Sequence, residues 1–243
     1  MIAMILAAGR GERMRPLTDH TPKPLLEAGG RALIVWHIER LVAAGITELV
    51  INHAHLGAQI VHALGDGSRF GAKIQYSPEA TALETAGGIA CALPILARDE
   101  GKPFAVINGD IYCDYDFSRL PACAEKLQAN GDTAHLVLVD NPPHHPTGDF
   151  ALNNNNRITA STQNPESSIL NPELLTFSGI GVYHPCLFRR IARGSVAPLA
   201  PLLREQIALG KVSGEHHKGV WVDVGTPQRL NELDSQLRKE THV

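Results

Sequence analysis

Short, almost purely apolar segments alternate with amphipathic ones along the first 140 residues, and this alternation restricts the fold more than any other feature. Residues 2–8 and 104–108 are nearly continuous apolar runs, as expected of parallel strands that are buried on both faces. Further strands are predicted at residues 49–52, 73–76 and 134–140, and helices at 33–42, 58–64 and 87–97. The pattern predicts right-handed crossovers and a Rossmann-like α/β fold, in which helices cover both faces of a mostly parallel sheet.

The alternation ends near residue 141. Residues 141–148 are rich in proline, histidine and glycine, and short strands are predicted at 150–152 and 176–183. A last helix is predicted around residues 228–239. We therefore expect a single domain over residues 1–243, with a core of about 1–140, a small β-rich part of about 141–220 and a C-terminal helix within 226–243.

The composition excludes several classes of function. A formal charge of −3 gives no polycationic field, so no nucleic-acid partner is expected. No stretch reaches the ~18 apolar residues that a membrane-spanning helix needs, and the apolar N-terminal run precedes the charges, unlike a signal peptide. The four scattered cysteines lack metal-binding spacing and are expected to be reduced thiols. These features predict a cytoplasmic protein without a membrane partner.

A loop rich in glycine, arginine and proline follows the first strand. Glycines such as Gly9 and Gly11 allow backbone N–H groups to approach phosphates closely. The loop lacks the Gly-Lys-Ser/Thr of a Walker A motif, and Met14 stands where the dinucleotide fingerprint requires a third glycine. A flexible surface loop would explain the glycines, but not Arg13 or Lys23, which lies between two prolines. We therefore predict a phosphate-binding loop that faces solvent.

Two aspartates are candidates for a metal site. Asp110 follows a buried strand, at the sheet edge where open α/β proteins bind ligands, and no lysine stands beside it in the sequence. Such a carboxylate suits Mg²⁺, although it could also simply cap a turn. Asp223 lies between Val222 and Val224, where a carboxylate without a nearby cation would be costly. Thr226 is predicted to cap the helix that follows.

Four segments carry a resemblance to a known family. In chain order, the glycine-rich loop, residues 83–88, Asn108-Gly109-Asp110 and residues 221–227 resemble the sugar-1-phosphate nucleotidyltransferase family over nearly the whole chain. The resemblance implies transfer of a nucleoside monophosphate from a nucleoside triphosphate to a sugar 1-phosphate, with Mg²⁺ as cofactor. Shorter stretches at 51–54, 65–71, 144–150, 175–179 and 212–216 are similar to members that use UTP and N-acetylmuramate 1-phosphate in cell-wall recycling. These two compounds are therefore the expected substrates.

The resemblance also implies the roles of individual residues. Those expected to take part in catalysis are Arg13, Lys23 and Asp110, and the expected paired Mg²⁺ ligands are Asp110 and Asp223. The expected nucleotide contacts are Ala7, Ala8, Gly9, Gly11, Arg13, Lys23, Glu84, Gly88 and Asn108. The expected sugar contacts are Gly148, Asp149, Gln163, Asn164 and Ser178. Many relatives carry Glu-Lys-Pro where this chain has Gln163-Asn164-Pro165, so the lysine that usually contacts the acceptor is replaced.

The implied reaction leaves several alternatives open. The acceptor phosphate is already an anion, so no general base is needed, and the protein has to align two anions and neutralise their charge. A guanylyltransferase for mannose 1-phosphate, or a thymidylyl- or uridylyltransferase for glucose 1-phosphate, would share the scaffold. A non-catalytic regulatory subunit is disfavoured because both cations and both aspartates are retained, and a dinucleotide-dependent dehydrogenase is disfavoured by Met14. The adjacent histidine pairs lack zinc-site spacing, and the oligomeric state is left open.

Overall fold

The computed structural model describes residues 1–98, 101–159 and 174–241. The strands are β1 (Ile2–Leu6), β2 (Glu27–Ala28), β3 (Arg31–Ala32), β4 (Glu48–His53), β5 (Lys73–Pro78), β6 (Phe104–Asn108), β7 (Ile111–Cys113), β8 (Ala134–Val139), β9 (Phe150–Leu152), β10 (Ile158–Thr159), β11 (Leu174–Tyr183), β12 (Val212–His217) and β13 (Trp221–Asp223). The α-helices are α1 (Leu33–Ala43), α2 (Gly57–Leu64), α3 (Glu84–Leu96), α4 (Leu120–Asn130), α5 (Leu199–Ala208) and α6 (Pro227–Thr241). Every strand and helix predicted in the first 140 residues is present.

Within the described residues, the main sheet has nine strands and a parallel centre. Strand β1 pairs in parallel with β4 and β6, and β4 pairs in parallel with β5. Strand β11 lies antiparallel between β6 and β8, and β12 is parallel to β8. In the order β12-β8-β11-β6-β1-β4-β5, only β11 opposes the direction of the others, which confirms the mostly parallel α/β fold. The predicted β-rich part is an antiparallel extension in which β9 joins β10 to β11.

Helices cover both faces of this sheet because successive strand residues point in opposite directions. Ile5 and Ile107 pack in one buried cluster with residues of α1, α2 and α4. Met4 and Val106, one position earlier on the same strands, pack in a second cluster with α3 and α5. None of the helices described here combines the length and the apolar character of a bilayer-spanning segment.

A third apolar cluster joins the glycine-rich loop to the C-terminal helix. Met14 is completely buried there, together with Leu33 of α1 and Leu233 of α6. The position that would be the third glycine of a dinucleotide fingerprint is therefore a core residue in this fold.

His37 connects α1 to the strand that follows Asp110. The side chain is 1% exposed, and its Nε2 donates a 2.8 Å hydrogen bond to the carbonyl oxygen of Ile111. Burial disfavours the charged imidazolium and lowers the pKa of His37 to about 4. The folded protein therefore keeps His37 neutral at pH values where the unfolded chain protonates it.

Lowering the pH should destabilise the protein through His37. The unfolded chain takes up this proton near pH 6.5 and the folded protein only near pH 4, so stability is present above pH 6.5 and falls between the two values. From pH 7 to pH 5 we expect this group to remove about 2 kcal/mol from the free energy of unfolding. In urea unfolding at both pH values, His37→Gln should reduce the loss, whereas His62→Gln, on the exposed surface of α2, should not. An unchanged pH dependence in His37→Gln would contradict the assignment.

Candidate active site

The glycine-rich loop closes a cavity of about 590 Å³ at the carboxyl ends of β1, β4 and β6. We call it the first cavity. Most of the residues expected to contact a nucleotide line it: Ala7, Ala8, Gly9, Gly11, Arg13, Lys23, Glu84 and Asn108. Asp110, which was predicted to be catalytic and a metal ligand, lines it too. The structure therefore brings together residues that are spread over more than a hundred positions of the chain.

Gly11 shapes the loop around Lys23. Its φ is 63°, in the left-handed region that favours glycine. A Cβ at this position would lie 2.9 Å from Cγ2 of Thr18 and 3.2 Å from Cβ of Lys23. The Thr18 hydroxyl donates a 2.8 Å hydrogen bond to the carbonyl oxygen of Gly11, which fixes the turn. The loop is thus held in a defined conformation by its own side chains.

Lys23 lies deeper than the sequence indicated. We expected both Arg13 and Lys23 on the solvent side of the loop, but only Arg13 is exposed, and Lys23 is 7% exposed. The Lys23 Nζ donates a 2.6 Å hydrogen bond to Oδ2 of Asp110. No lysine stands beside Asp110 in the sequence, but the fold supplies one from 87 residues earlier in the chain.

Asp110 and Asp223 stand at the same end of a two-stranded ribbon. Strands β7 and β13 pair antiparallel with Asp223 opposite Ile111, and the Val224 N–H donates to the Asp110 carbonyl oxygen at 3.1 Å. These two carboxylates offer the hard oxygen ligands that Mg²⁺ prefers. Each carboxylate also has a cationic neighbour, Lys23 at Asp110 and Arg229 at Asp223, so a divalent cation held here would share its ligands with these two side chains.

Arg229 is a functional candidate that sequence reasoning missed. Its Nη1 donates to Asp223 Oδ2 at 2.7 Å and lies 2.7 Å from His144 Nε2. It occupies the first turn of α6, where its backbone N–H donates to the Thr226 hydroxyl at 3.3 Å, as the predicted N-cap requires. The only signal for Arg229 in the sequence was its position two residues after Gly225-Thr226-Pro227, where the strand ends and the last helix begins.

A buried polar network under the first cavity was also missed. Asn52 Oδ1 accepts the Ala7 N–H at 2.8 Å, and its Nδ2 donates to Glu79 Oε1 at 2.6 Å. The other oxygen of Glu79 accepts the Leu83 N–H at 3.0 Å. Both side chains are buried and line the first cavity. Gly88 lies behind this network, packed against Glu79 and Asn52, and does not line the first cavity.

A second cavity of about 400 Å³ adjoins the first. Glu84, Thr85 and Asn108 line both cavities. Glu84 has a φ of 59°, which for a residue other than glycine costs of order 1–3 kcal/mol and marks a constrained position. Arg204 of α5 also lines the second cavity.

Of the residues expected to contact the sugar, some line the second cavity and one does not. Gly148 and Asp149 line the second cavity, and Asp149 Oδ2 accepts the Phe177 N–H at 2.8 Å. Ser178 is 1% exposed and does not line it, because its hydroxyl donates to the Val137 carbonyl oxygen at 2.7 Å within the sheet. Gln163 and Asn164 lie outside the described residues.

Comparisons with known proteins identify the family of the chain. The sequence profile of the family described as "Nucleotidyl transferase" matches residues 2–240. An N-acetylmuramate alpha-1-phosphate uridylyltransferase of Neisseria meningitidis serogroup B is 56% identical over 97% of both chains. A mannose-1-phosphate guanyltransferase of Emericella nidulans is 34% identical over 94% of this chain, which spans 62% of that enzyme's length. A solved Bacillus anthracis structure, described as a glucose-1-phosphate thymidylyltransferase, has the same fold, with a TM-score of 0.78, 23% identity and coverage of 98% and 96%.

Gly88→Ala should destabilise the protein through the buried network. The added Cβ would lie 2.7 Å from Glu79 Oε1 and 2.9 Å from Asn52 Nδ2, two atoms that hydrogen bonds hold in place. We expect a loss of about 1–3 kcal/mol in the free energy of unfolding, measured with urea. Gly9→Ala is the matched control: nothing lies within 4 Å of a Cβ there, so its stability should stay within ~0.5 kcal/mol. Equal stability of the two variants would be inconsistent with the network.

Proposed function

This chain belongs to the nucleotidyl transferase family, and we propose that it converts UTP and N-acetylmuramate 1-phosphate into UDP-N-acetylmuramate and pyrophosphate. It is a sugar-1-phosphate nucleotidyltransferase, whose substrates are a nucleoside triphosphate and a sugar phosphate. The observation that carries the proposal is that the same three residues, Glu84, Thr85 and Asn108, line both cavities. A nucleotide in the first cavity would therefore lie next to a sugar phosphate in the second cavity, at these three shared residues. The expected cytoplasmic location stays a prediction.

The chemistry requires charge neutralisation more than proton transfer. An oxygen of the sugar phosphate attacks the α-phosphorus of UTP, the new O–P bond forms, and the bond to the departing pyrophosphate breaks. The attacking oxygen is already anionic, so no side chain has to remove a proton. Lys23 and Arg13, which line the first cavity, would stabilise the negative charge that is shared among the phosphate oxygens.

Enzymes of this family generally use a divalent metal, and we propose Mg²⁺ for this chain. Asp110 and Asp223 would hold it, because Asp110 lines the first cavity and Asp223 stands opposite Ile111, the residue next to Asp110, on the β7–β13 ribbon. When bound, the ion would neutralise charge on the phosphate oxygens. Arg229 would keep the Asp223 carboxylate oriented through its 2.7 Å contact.

Selection of uracil is assigned to Glu84. Its carboxylate could accept the N3–H of uracil, and cytosine lacks that proton, so a site built around this bond discriminates between them. The strained backbone of Glu84 at the start of α3 supports a role in recognition. Guanine N1–H could satisfy the same carboxylate, so GTP is the competing donor that the experiment has to include.

Recognition of the lactyl carboxylate of N-acetylmuramate is assigned to Arg204. Arg204 lines the second cavity, whereas Lys218 does not. The histidines that could compete are engaged: His216 Nε2 lies 2.8 Å from Asp140, and His144 contacts Arg229. A guanidinium can bind a carboxylate through two parallel hydrogen bonds. Neutral Gln163 and Asn164, in place of the Glu-Lys-Pro of many relatives, would avoid repulsion of that carboxylate.

A pyrophosphate-release screen tests the proposal. Purified protein is incubated with Mg²⁺ and each pair of UTP, GTP, dTTP or CTP with N-acetylmuramate, glucose, mannose or N-acetylglucosamine 1-phosphate. We expect the highest kcat/KM for UTP with N-acetylmuramate 1-phosphate. A higher value for GTP with mannose 1-phosphate would refute the proposed specificity, and release from no pair would favour a non-catalytic regulatory subunit.

Removing either cation should lower turnover by ~10²–10³, as for other preorganised electrostatic contacts. Lys23→Ala should also lower the melting temperature, because it removes a side chain that is only 7% exposed and leaves its space unfilled. Arg13→Ala should leave the melting temperature unchanged, since Arg13 is exposed. Arg15→Ala is the control, because Arg15 is exposed, pairs with Asp19 and does not line the first cavity. Wild-type kcat in Lys23→Ala or Arg13→Ala would contradict the assigned role.

Arg204→Gln should impair use of the muramate substrate selectively. Loss of a hydrogen bond between charged groups costs about 1.5–3 kcal/mol, which corresponds to an increase in KM of about 10- to 100-fold. KM for N-acetylglucosamine 1-phosphate, which lacks the lactyl group, should change less than threefold or so by the same argument. Arg190→Gln, exposed and outside the second cavity, provides the control. A parallel loss for both sugars would show that Arg204 does not read the lactyl group.

A further inference from the structure

Three side chains of metal-ligand type meet on the sheet face that α4 covers. Cys123 belongs to α4, His135 to β8 and Glu215 to β12. Their donor atoms all lie within 4.8 Å of one another. His135 Nε2 is 3.6 Å from Glu215 Oε1, and Cys123 Sγ is 3.9 Å from the same oxygen. None of the three lines the first or the second cavity, so the catalytic proposal does not explain them.

The His135 ring is held in the manner of a metal ligand. Its Nδ1 makes a 2.9 Å hydrogen bond with the Ser213 hydroxyl. Its Nε2 is buried without a hydrogen-bond partner among the described residues, and it faces the Cys123–Glu215 pair. A hydrogen bond to one imidazole nitrogen commonly orients the other nitrogen toward a metal ion. The 3.6 Å contact with Glu215 is too long to satisfy this buried nitrogen as a hydrogen bond, so the nitrogen calls for an explanation.

We propose that Cys123 Sγ, His135 Nε2 and Glu215 Oε1 bind one Zn²⁺ ion. Tetrahedral zinc with ordinary bond lengths separates such ligands by about 3.3–3.6 Å. The observed 3.6 Å and 3.9 Å separations from Glu215 Oε1 need a contraction of a few tenths of an ångström, and the third pair, Cys123 Sγ and His135 Nε2, lies within 4.8 Å. A thiolate and an imidazole favour zinc over Mg²⁺ or Ca²⁺, so this site is chemically distinct from the aspartate pair.

The surrounding side chains support the carboxylate in this role. The Tyr115 hydroxyl donates to Glu215 Oε1 at 2.5 Å, and Arg119 pairs with the other carboxylate oxygen. These contacts fix the Glu215 carboxylate while leaving a lone pair of Oε1 for the ion. Water would complete the coordination, because Cys123 is only partly buried. Thiolate and carboxylate together balance the two positive charges of zinc.

Binding of the metal alone tests the site without relying on catalysis. The full chain is titrated with Zn²⁺ and, separately, with Co²⁺, whose thiolate complexes give a charge-transfer absorption band. We expect one tight Zn²⁺ per chain and a thiolate–cobalt band. Cys123→Ser should abolish the band and weaken zinc affinity by ~100-fold or more, since even outer-shell changes cost about 10- to 100-fold. Cys186→Ser, which alters an exposed cysteine, should match the wild type.

A second measurement needs no substitution. Zn²⁺ should slow alkylation of Cys123 by iodoacetamide in the wild-type protein, followed by mass spectrometry, while exposed Cys186 reacts at an unchanged rate. Equal zinc affinity in Cys123→Ser and wild type, or unprotected Cys123 in zinc-saturated protein, would overturn the proposal. The three side chains would then form a metal-free hydrogen-bonded network. Neither readout involves substrate turnover, so failure here leaves the proposed transferase activity unaffected.

Discussion

The contact between Lys23 and Asp110 is the interaction on which the site depends. An ammonium group at 7% exposure would be strongly destabilising without an anionic partner, and the fold provides one at 2.6 Å. This pair joins the glycine-rich loop to the end of β6, while Met14 anchors the other side of the loop in the core beside α6. The loop is consequently ordered by the same charges that the proposed chemistry would use. Catalytic groups arranged in advance cost no reorganisation when substrate binds.

A second contact ties Asp110 and Asp223, the proposed Mg²⁺ ligands, to the main sheet. Strand β11 changes register between Phe177 and Ile180, and this irregularity exposes the Ser178 carbonyl oxygen to Trp221. The Trp221 indole N–H donates to that oxygen at 2.9 Å. The ribbon at Asp110 and Asp223 is therefore fixed to β11, which runs antiparallel to its neighbours β6 and β8. A strand that opposes the parallel centre of the sheet thus supports the ribbon.

The sequence predicted those parts of the fold in which local pattern and burial agree. The apolar strands β1 and β6 were predicted because they are buried along most of their length, and helix α1 because its buried residues recur at helical spacing. Helix α4 was missed because it buries only a narrow stripe, and α5 because prolines at 198 and 201 imitate a loop. Strand β12 was also missed, because its polar residues show no clear alternation with apolar ones. Among the described strands of the sheet it pairs only with β8.

The sequence motifs predicted many of the residues that line the site, but not which of their side chains contact one another. Lys23 and Asp110 were both named, yet no local signal relates residues that are 87 positions apart. Asn52 and Glu79 were overlooked because polar residues at strand ends usually belong to solvent-exposed turns, whereas these two are buried under the first cavity. Long-range pairing of polar groups depends on the assembled sheet, and a single sequence does not display it.

The chain has two tryptophans, and one lies on the β7–β13 ribbon while the other packs against it. Trp221 lies on the ribbon itself, and the ring of Trp36 meets Tyr112 of β7 edge-on, with centroids 5.6 Å apart. Indole emission responds to changes in nearby hydrogen bonds, charges and ring contacts. The aromatic residues that brace the ribbon therefore make the protein its own optical reporter: displacement of the ribbon is visible in intrinsic fluorescence, without a label.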